Sequence, residues 1–292
     1  FVLTSGIKGN ELGLGIQSSS LELLRQSRLD NFRIDFNSKS DNFIYSVNWG
    51  GLPNSENKGS FNARGNFSKK DSIQEHAILN IVIDSSEFYS RTKLWKVRRS
   101  TIIVDSNAVR INRFLVGTND YFYSIDGSVS KNPADTLKIG FKGIDITPLN
   151  YIITRNKSKP EEAFSPEFTG QLNGEIFVAN LYKDLQMVGN LSIENFGLLE
   201  TDYGILDISS ELDINNKVIN IRAKNNLEGK KMLDITGFYD PPSRKLDLTG
   251  VATKLSVKPL NKLLKVFASD ISGTATGKVK LIGQPGTVVL KG

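Results

Sequence analysis

The sequence predicts an all-β fold made of a long succession of short antiparallel strands, and three observations predict it. Apolar residues recur at every second position in run after run, which places them on one face of a strand. Segments such as GLPNSENKG, NNLEGKK, DPPSRK and GQPG separate the runs and carry the Gly, Pro and Asn that tight turns require. Helical spacing, by contrast, occurs in few places.

In chain order the alternation begins with Phe32/Ile34/Phe36 and continues as Phe43/Tyr45/Val47/Trp49, set against Ile44, Ser46 and Asn48. Phe61/Ala63/Gly65/Phe67 then alternate with Asn62, Arg64, Asn66 and Ser68, and Leu79/Ile81/Ile83 follow. In RTKLWKVRRS a strand directs Lys93, Trp95 and Val97 one way and Leu94, Lys96 and Arg98 the other. Its charges, Arg91 and Arg99 included, therefore split between faces rather than forming a stripe for nucleic acid, and no nucleic-acid partner is expected. Next come Tyr121/Tyr123/Ile125, Leu137/Ile139/Phe141, Leu185/Met187/Gly189/Leu191/Ile193, Leu206/Ile208/Ser210/Leu212/Ile214, Ile219/Ile221/Ala223 and Leu233/Ile235/Gly237. In KPLNKLLKVFAS, Leu260, Leu263, Leu264 and Phe267 sit at i, i+3, i+4 and i+7, the spacing of a short amphipathic helix of about three turns that plugs or caps an apolar interior. The closing DISGTATGKVKLIGQPGTVVLKG returns to period two, with Ile271, Gly273, Ala275, Gly277, Val279 and Leu281 on one face; its glycines are expected where the sheet bends or a neighbour comes close.

The sequence argues against catalysis. It has no cysteine and a single histidine, His76, which removes thiol chemistry and multi-histidine metal centres. No metal, cofactor or catalytic residue is expected. His76 lies in QEHAILNIVI without a nucleophile signature around it and reads as a strand-edge histidine. Glu161 and Glu162 share a Lys- and Pro-containing loop, not two sides of a cleft. GTATGKVK is not a phosphate loop: three residues rather than four separate Gly273 from Gly277, and Val279 follows Lys278 where a Ser or Thr is needed. Lys and Arg exceed Asp and Glu by 37 to 31, a mild excess that suits lipid headgroups as well as nucleic acid. No apolar stretch approaches the length of a membrane helix. The start FVLTSGIKGNELG carries neither an initiator Met nor a signal peptide, so the chain reads as a segment of a longer protein.

Residues 1–292 read as part of one elongated, repeat-built β domain, with repeat units near 137–193 and 246–292. DITPLNYII and SVKPLNKLL share Pro-Leu-Asn at Pro148 and Pro259. FTGQLNGEIFV matches ISGTATGKVKL as apolar, polar, Gly, three residues, Gly and a strand, and the first copy carries the longer loop, TRNKSKPEEAFSPE. SSLELLRQ, near Leu21, is a weaker third copy of the apolar cluster. Such repetition argues for a stacked architecture.

An apolar face on nearly every strand, with few helices to cover it, leaves three solutions: a two-sheet sandwich array, a closed barrel, or a long sheet folded along its length. Uneven strands broken by charged loops argue against a membrane barrel. A folded sheet too wide to fill forms an apolar groove that shields acyl chains from water. Its lining candidates are Phe43, Tyr45, Val47, Trp49, Leu137, Ile139, Phe141, Leu185, Met187, Leu191, Ile193, Leu206, Ile208, Leu212 and Ile214, and the same residues also suit a filled core.

LKIGFKGIDITPLNYII followed by FTGQLNGEIFV, and again LSVKPLNKLLKVFASDISGTATGKVKLIGQPGTVVLKG, resembles the repeat of the TamB family, within the AsmA-like group of bridge-like lipid transporters. There a strand leads to an x-L-x-x-L/I-L/I cluster and then to Gly-spaced strands that end in a G-x-x-x-x-P-x-x-x-G type turn. KLWKVRRSTIIVDSNAVRINRFLVGTNDYFYSIDGSVSKNPADTLKIGF is similar to the segment preceding this repeat in Bacteroidetes-type homologues, so the resemblance covers most of residues 90–292. The copies depart from the pattern: Pro285 stands two residues after Gly283, and the Gly170 copy lacks the proline turn. The resemblance implies a β-taco or open β-solenoid-like groove in a periplasmic protein, anchored in the inner membrane by a segment outside this one. It further implies phospholipid carried toward the outer membrane, a role in outer-membrane biogenesis and protein secretion, and an Omp85-type outer-membrane barrel as partner. A different expectation is a scaffold that offers strand edges to nascent outer-membrane proteins by β-augmentation, and a third is a dry, packed surface solenoid.

Overall fold

The computed structural model describes residues 2–23, 27–51, 56–69, 77–90, 93–132, 134–150, 167–180, 185–263, 270–284 and 287–291. The fold is all-β and antiparallel, and among the described residues helix is confined to single turns. It divides into two compact units, Phe1–Ile139 and Gly140–Gly292.

The first unit is a meander. Its strands are β1 (Val2–Lys8), β2 (Glu11–Leu23), β3 (Ser27–Lys39), β4 (Asn42–Trp49), β5 (Lys58–Lys69), β6 (Ala77–Ile83), β7 (Ser86–Ser90), β8 (Lys93–Val97), β9 (Ser100–Val104), β10 (Ala108–Gly117) and β11 (Phe122–Ser130). β6 and β7 both pair with β5, and β8 and β9 both pair with β10, so each couple is one strand broken in the middle. Asp84–Ser85 and Arg98–Arg99 form the two breaks at the same level, because Ile83 faces Ser100 and Ser86 faces Val97. The ladder still closes around them: the Asp84 N–H donates to Asn62 O at 3.0 Å and the Arg98 N–H to Leu115 O at 2.9 Å. β10 carries a bulge between Ile111 and Phe114, where Arg113 takes φ +50° and donates its N–H to Asp126 Oδ1 at 2.7 Å. The described part of SSLELLRQ, through Leu23, continues β2: Leu21 pairs with Leu29 of β3, and cross-strand bonding outweighs the local helical spacing there.

β12 (Thr136–Asp145) spans the boundary between the units. The second unit continues with β13 (Phe168–Ala179), β14 (Gln186–Leu198), β15 (Thr201–Asp202), β16 (Ile205–Asp213), β17 (Val218–Leu227), β18 (Lys230–Asp240), β19 (Lys245–Ser256), α1 (Leu260–Leu263), β20 (Thr274–Gln284) and β21 (Thr287–Lys291). From β13 onward each strand again pairs antiparallel with its sequence neighbour, except that β14 also reaches past the two-residue β15 to β16. In that excursion Leu199 and Glu200 both have positive φ and form a two-residue hairpin turn, with Leu199 5% exposed.

The two Pro-Leu-Asn copies build the same latch. Asn150, in the helical turn at 148–150, accepts the Phe168 N–H on Oδ1 and donates from Nδ2 to Phe168 O, both at 2.8 Å. Asn261, in α1, does the same to Ile271, accepting its N–H and donating to its carbonyl. Each amide imitates a strand neighbour, closing one residue's ladder bonds from outside the sheet. The backbone around it repeats too: the Ile146 N–H donates to Gly170 O at 3.1 Å and the Val257 N–H to Gly273 O at 3.2 Å. Tyr203 links the two regions, packing at a tilt against Phe196, which stacks on Phe168, while its hydroxyl donates to Ser256 O at 3.0 Å; burial raises its pKa.

Two expectations for the closing stretch change. Gly273 lies outside β20 with φ +99°, and the space around a Cβ at Gly277 is open, so no neighbour approaches there. A bulge opposite β20, between Ala252 and Leu255 with Lys254 at φ +51°, carries the local irregularity of this pair instead. Within the described residues α1 covers one turn, Leu260–Leu263, and the rest of the expected helix, through Phe267, lies outside them.

Candidate functional site

Residues directly opposite each other in a ladder share a face of the sheet. In the first unit that rule joins Ile34 to Val47 and Phe61, Phe36 to Tyr45 and Ala63, and Phe43 to Gly65 and Ile81. The chain of pairings continues from Ala63 to Ile83, from Ile81 to Ile102 and Ile111, and from Phe88 to Trp95. It ends at Tyr123, Ile125 and Val129 on β11. One face of the unit is therefore apolar from β2 to β11. The other bears Arg33, Asp35, Asn37, Ser46, Asn48, Asn62, Arg64 and Asn66. Phe43, Tyr45, Val47 and Trp49 all lie on the apolar face.

The second unit repeats the arrangement. Leu172, Gly174, Ile176 and Val178 face Ile193, Leu191, Gly189 and Met187. Leu191 and Ile193 face Ile208 and Leu206, which face Ala223 and Asn225, and the row runs on through Ile235 and Leu233 to Gly250, Ala252, Val279 and Gly277. Asn173, Ser192, Asp207, Lys224 and Asp234 form a polar row behind it, where a hollow of 540 Å³ is lined by Asn173, Asn190, Ser192, Asp207, Arg222 and Lys224.

Close packing is local. In the first unit Ala63, Ile83 and Val97, each about 5% exposed, form a cluster under Phe61, Ile81, Phe88, Ile102, Phe114 and Val116. Most of the remaining apolar side chains are half-buried, and strand contacts within each unit run chiefly between ladder neighbours. A sheet face in this state has its aliphatic stems packed side by side and its outer surface still accessible. It can take up hydrocarbon along several strands without first displacing another layer of protein.

The structure distributes the predicted lining as follows. Leu191, Ile193, Leu206, Ile208, Leu212 and Met187 lie on the second unit's apolar face, with Met187 and Leu212 among its exposed members. Leu137, Ile139 and Phe141 alternate with exposed Lys138 and Lys142 along β12, all three half-buried. Leu185 precedes β14 and is exposed. Ile214 is the exception: it falls in the turn after β16, 80% exposed, because Asp213 ends the strand by accepting the Asn215 and Asn216 N–H groups at 3.0 Å. Leu260 is 37% exposed at the start of α1. The Leu263 side chain, Leu264, Phe267, His76, Arg91, Glu161 and Glu162 lie outside the described residues.

Sequence reading missed the role of two glycines. Gly59 stands between Trp49 and Phe88 in the ladder, and a Cβ there would lie 2.2 Å from Phe88 Cβ. Its bare backbone lets the two rings meet at 5.7 Å across the intervening strand. A Cβ at Gly65 would lie 2.4 Å from Phe43 Cζ, and Phe43 packs against Phe36 and Phe67, each at 5.8 Å. Aromatic alternation in the neighbouring runs was the signal available for both. Compared with protein-family models, curated proteins and solved structures, the chain matches none.

Proposed function

We propose that the chain is a non-catalytic lipid conduit whose apolar sheet faces shield phospholipid acyl chains from water. The observation that carries this reading is the continuity of those faces: within each unit nearly every strand adds mainly apolar side chains to one side and mainly polar ones to the other, and most of the apolar side chains keep accessible surface. The setting proposed with it rests on the resemblance to the TamB family. In that setting the protein works in the periplasm, held at the inner membrane by a segment outside this one. It passes phospholipid toward the outer membrane beside an Omp85-type barrel partner.

Photo-crosslinkers at Phe141 and Ile208, with a control at Ser209 on the polar side, test the reading, together with analysis of lipids retained by the purified chain. Lipid adducts from the first two positions and not from Ser209 support it; adducts from none of them refute it. β1 supports a second reading. All seven of its residues are exposed, and among the described residues it pairs on one side alone, with β2, which is the geometry β-augmentation uses. Crosslinks from Thr4 to unfolded outer-membrane strands, without lipid adducts, favour that alternative.

A further inference from the structure

The first unit's apolar face is not uniform along its strands. One rim, where β4 leads to β5, β7 to β8 and β10 to β11, gathers the polar-tipped aromatics Trp49, Trp95, Tyr121 and Tyr123. Trp49 and Phe88 lie 5.7 Å apart, Phe88 and Trp95 6.0 Å, and Trp95 and Tyr123 6.5 Å, so one aromatic row crosses the sheet along this rim. The opposite rim carries Leu12, Phe43, Phe67, Leu79, Val104 and Val109, without a Trp or Tyr.

A lysine accompanies these rings. Lys93, opposite Ser90, shares the face of Trp95, and its Nζ stands 4.5 Å over the Tyr121 ring. It makes no ion pair among the described residues. Arg28 and Asp30, at the same rim on β3, neutralise each other at 2.7 Å. On the reverse side of this rim Lys58 Nζ lies 5.4 Å over Tyr89. Trp and Tyr rings collect where hydrocarbon meets water, because one end of the ring is apolar and the other seeks a hydrogen bond. Lysine beside them lays its stem on the apolar surface and its ammonium outside.

We infer that this rim is the headgroup end of a bound anionic amphiphile, with Lys93 facing its phosphate and its acyl chains directed along the strands toward Phe43 and Leu79. The inference rests on the lipid-conduit reading and adds to it a fixed polarity for the bound molecule.

The chain's only two tryptophans lie in this row, so each reports on it directly. The test uses the full chain as Trp49→Phe and Trp95→Phe single-tryptophan variants, titrated with phosphatidylglycerol vesicles that carry a nitroxide lipid labelled on the headgroup or deep in the acyl chain. Trp95 emission should be quenched at least twofold more by the headgroup label. Lys93→Gln should weaken phosphatidylglycerol binding about fivefold, the worth of one lysine near an anionic surface, and Lys93→Arg should restore it. Equal or deeper quenching overturns the polarity. So does quenching by neither label while Phe141 and Ile208 still crosslink to lipid, and the conduit reading then survives. Loss of both signals refutes the conduit reading itself. A Trp95 response to inorganic phosphate equal to that for vesicles assigns the rim to free phosphate and also overturns the inference.

Discussion

Replacing Asn150 by alanine removes two hydrogen bonds at one stroke, from the Phe168 N–H to Oδ1 and from Nδ2 to the Phe168 carbonyl, both at 2.8 Å. Each such bond contributes about 1 kcal/mol net, so their loss amounts to roughly 2 kcal/mol. Phe168 is half-buried, and water replaces part of what is lost. Two kilocalories correspond to roughly a 30-fold faster opening-limited exchange of the Phe168 amide, since each 1.4 kcal/mol is about tenfold. Hydrogen exchange at that amide is the assay, because it reads the latch itself rather than unfolding of the whole chain. Asn150→Asp sharpens the test. The carboxylate still accepts the Phe168 N–H but presents an oxygen to the Phe168 carbonyl, which favours the protonated acid and raises its folded pKa above the ordinary value of about 3.9. Protection in Asn150→Asp should therefore be best at acid pH and be lost as pH rises through that raised value. Exchange at Phe168 unchanged within about twofold in Asn150→Ala, against the expected 30-fold, would refute the latch, and Asn261→Ala offers an independent repeat at Ile271.

Three further outcomes follow from the geometry. Gly59→Val places a side chain where Phe88 Cβ would be 2.2 Å away, and should cost about 1–3 kcal/mol by overpacking while separating Trp49 from Phe88; denaturant titration followed by Trp49 fluorescence in the Trp95→Phe background reads both. Glu200→Gly relieves φ +64° in the turn after β14 and should stabilise that hairpin by about 0.5–1 kcal/mol, seen as slower exchange across β14 and β15, whereas Leu199→Gly also loses a buried side chain and should destabilise it. Asp105 is held below the usual carboxylate range first by the Asn107 N–H, and also by the Ala108 N–H and Arg110. Its contribution is present above about pH 3.9 and is lost as pH falls through its lowered value; Asp105→Asn should flatten the acid limb of amide protection between β9 and β10.

What the sequence made legible was mainly parity. Phe43/Tyr45/Val47/Trp49 and Leu206/Ile208 could be set on one face because side-chain direction in a strand depends on counting by two, and the pairings then carry the same face from strand to strand. Interruptions were less legible, because they depend on partners distant in sequence. The breaks at Asp84–Ser85 and Arg98–Arg99 align through the pairing of β6 and β7 with β8 and β9, and Arg98–Arg99 carries no turn residue of its own. Ile214 continued the alternation on paper, yet Asp213 closes the turn one residue earlier. The Pro-Leu-Asn repeat was visible, but the work of its asparagine was not: its partners lie 18 residues on in one copy and 10 in the other. Asn225 is similar. Parity sets it among apolar residues, and its buried Nδ2 donates to the carbonyls of Tyr203 and Ile205, at the end of the Leu199–Gly204 excursion.

Pairing between sequence neighbours has a consequence for how such a chain can lengthen. A hairpin duplicated in place brings two strands and two reversals, so the strands after it keep both their direction and the side to which their odd and even residues point. Growth by whole hairpins therefore leaves every existing cross-strand pair outside the insertion site intact. The added area is apolar on one side and wet on the other, as before. Length becomes adjustable in steps of about 10 Å, two strand spacings, while the chemistry of each face stays fixed.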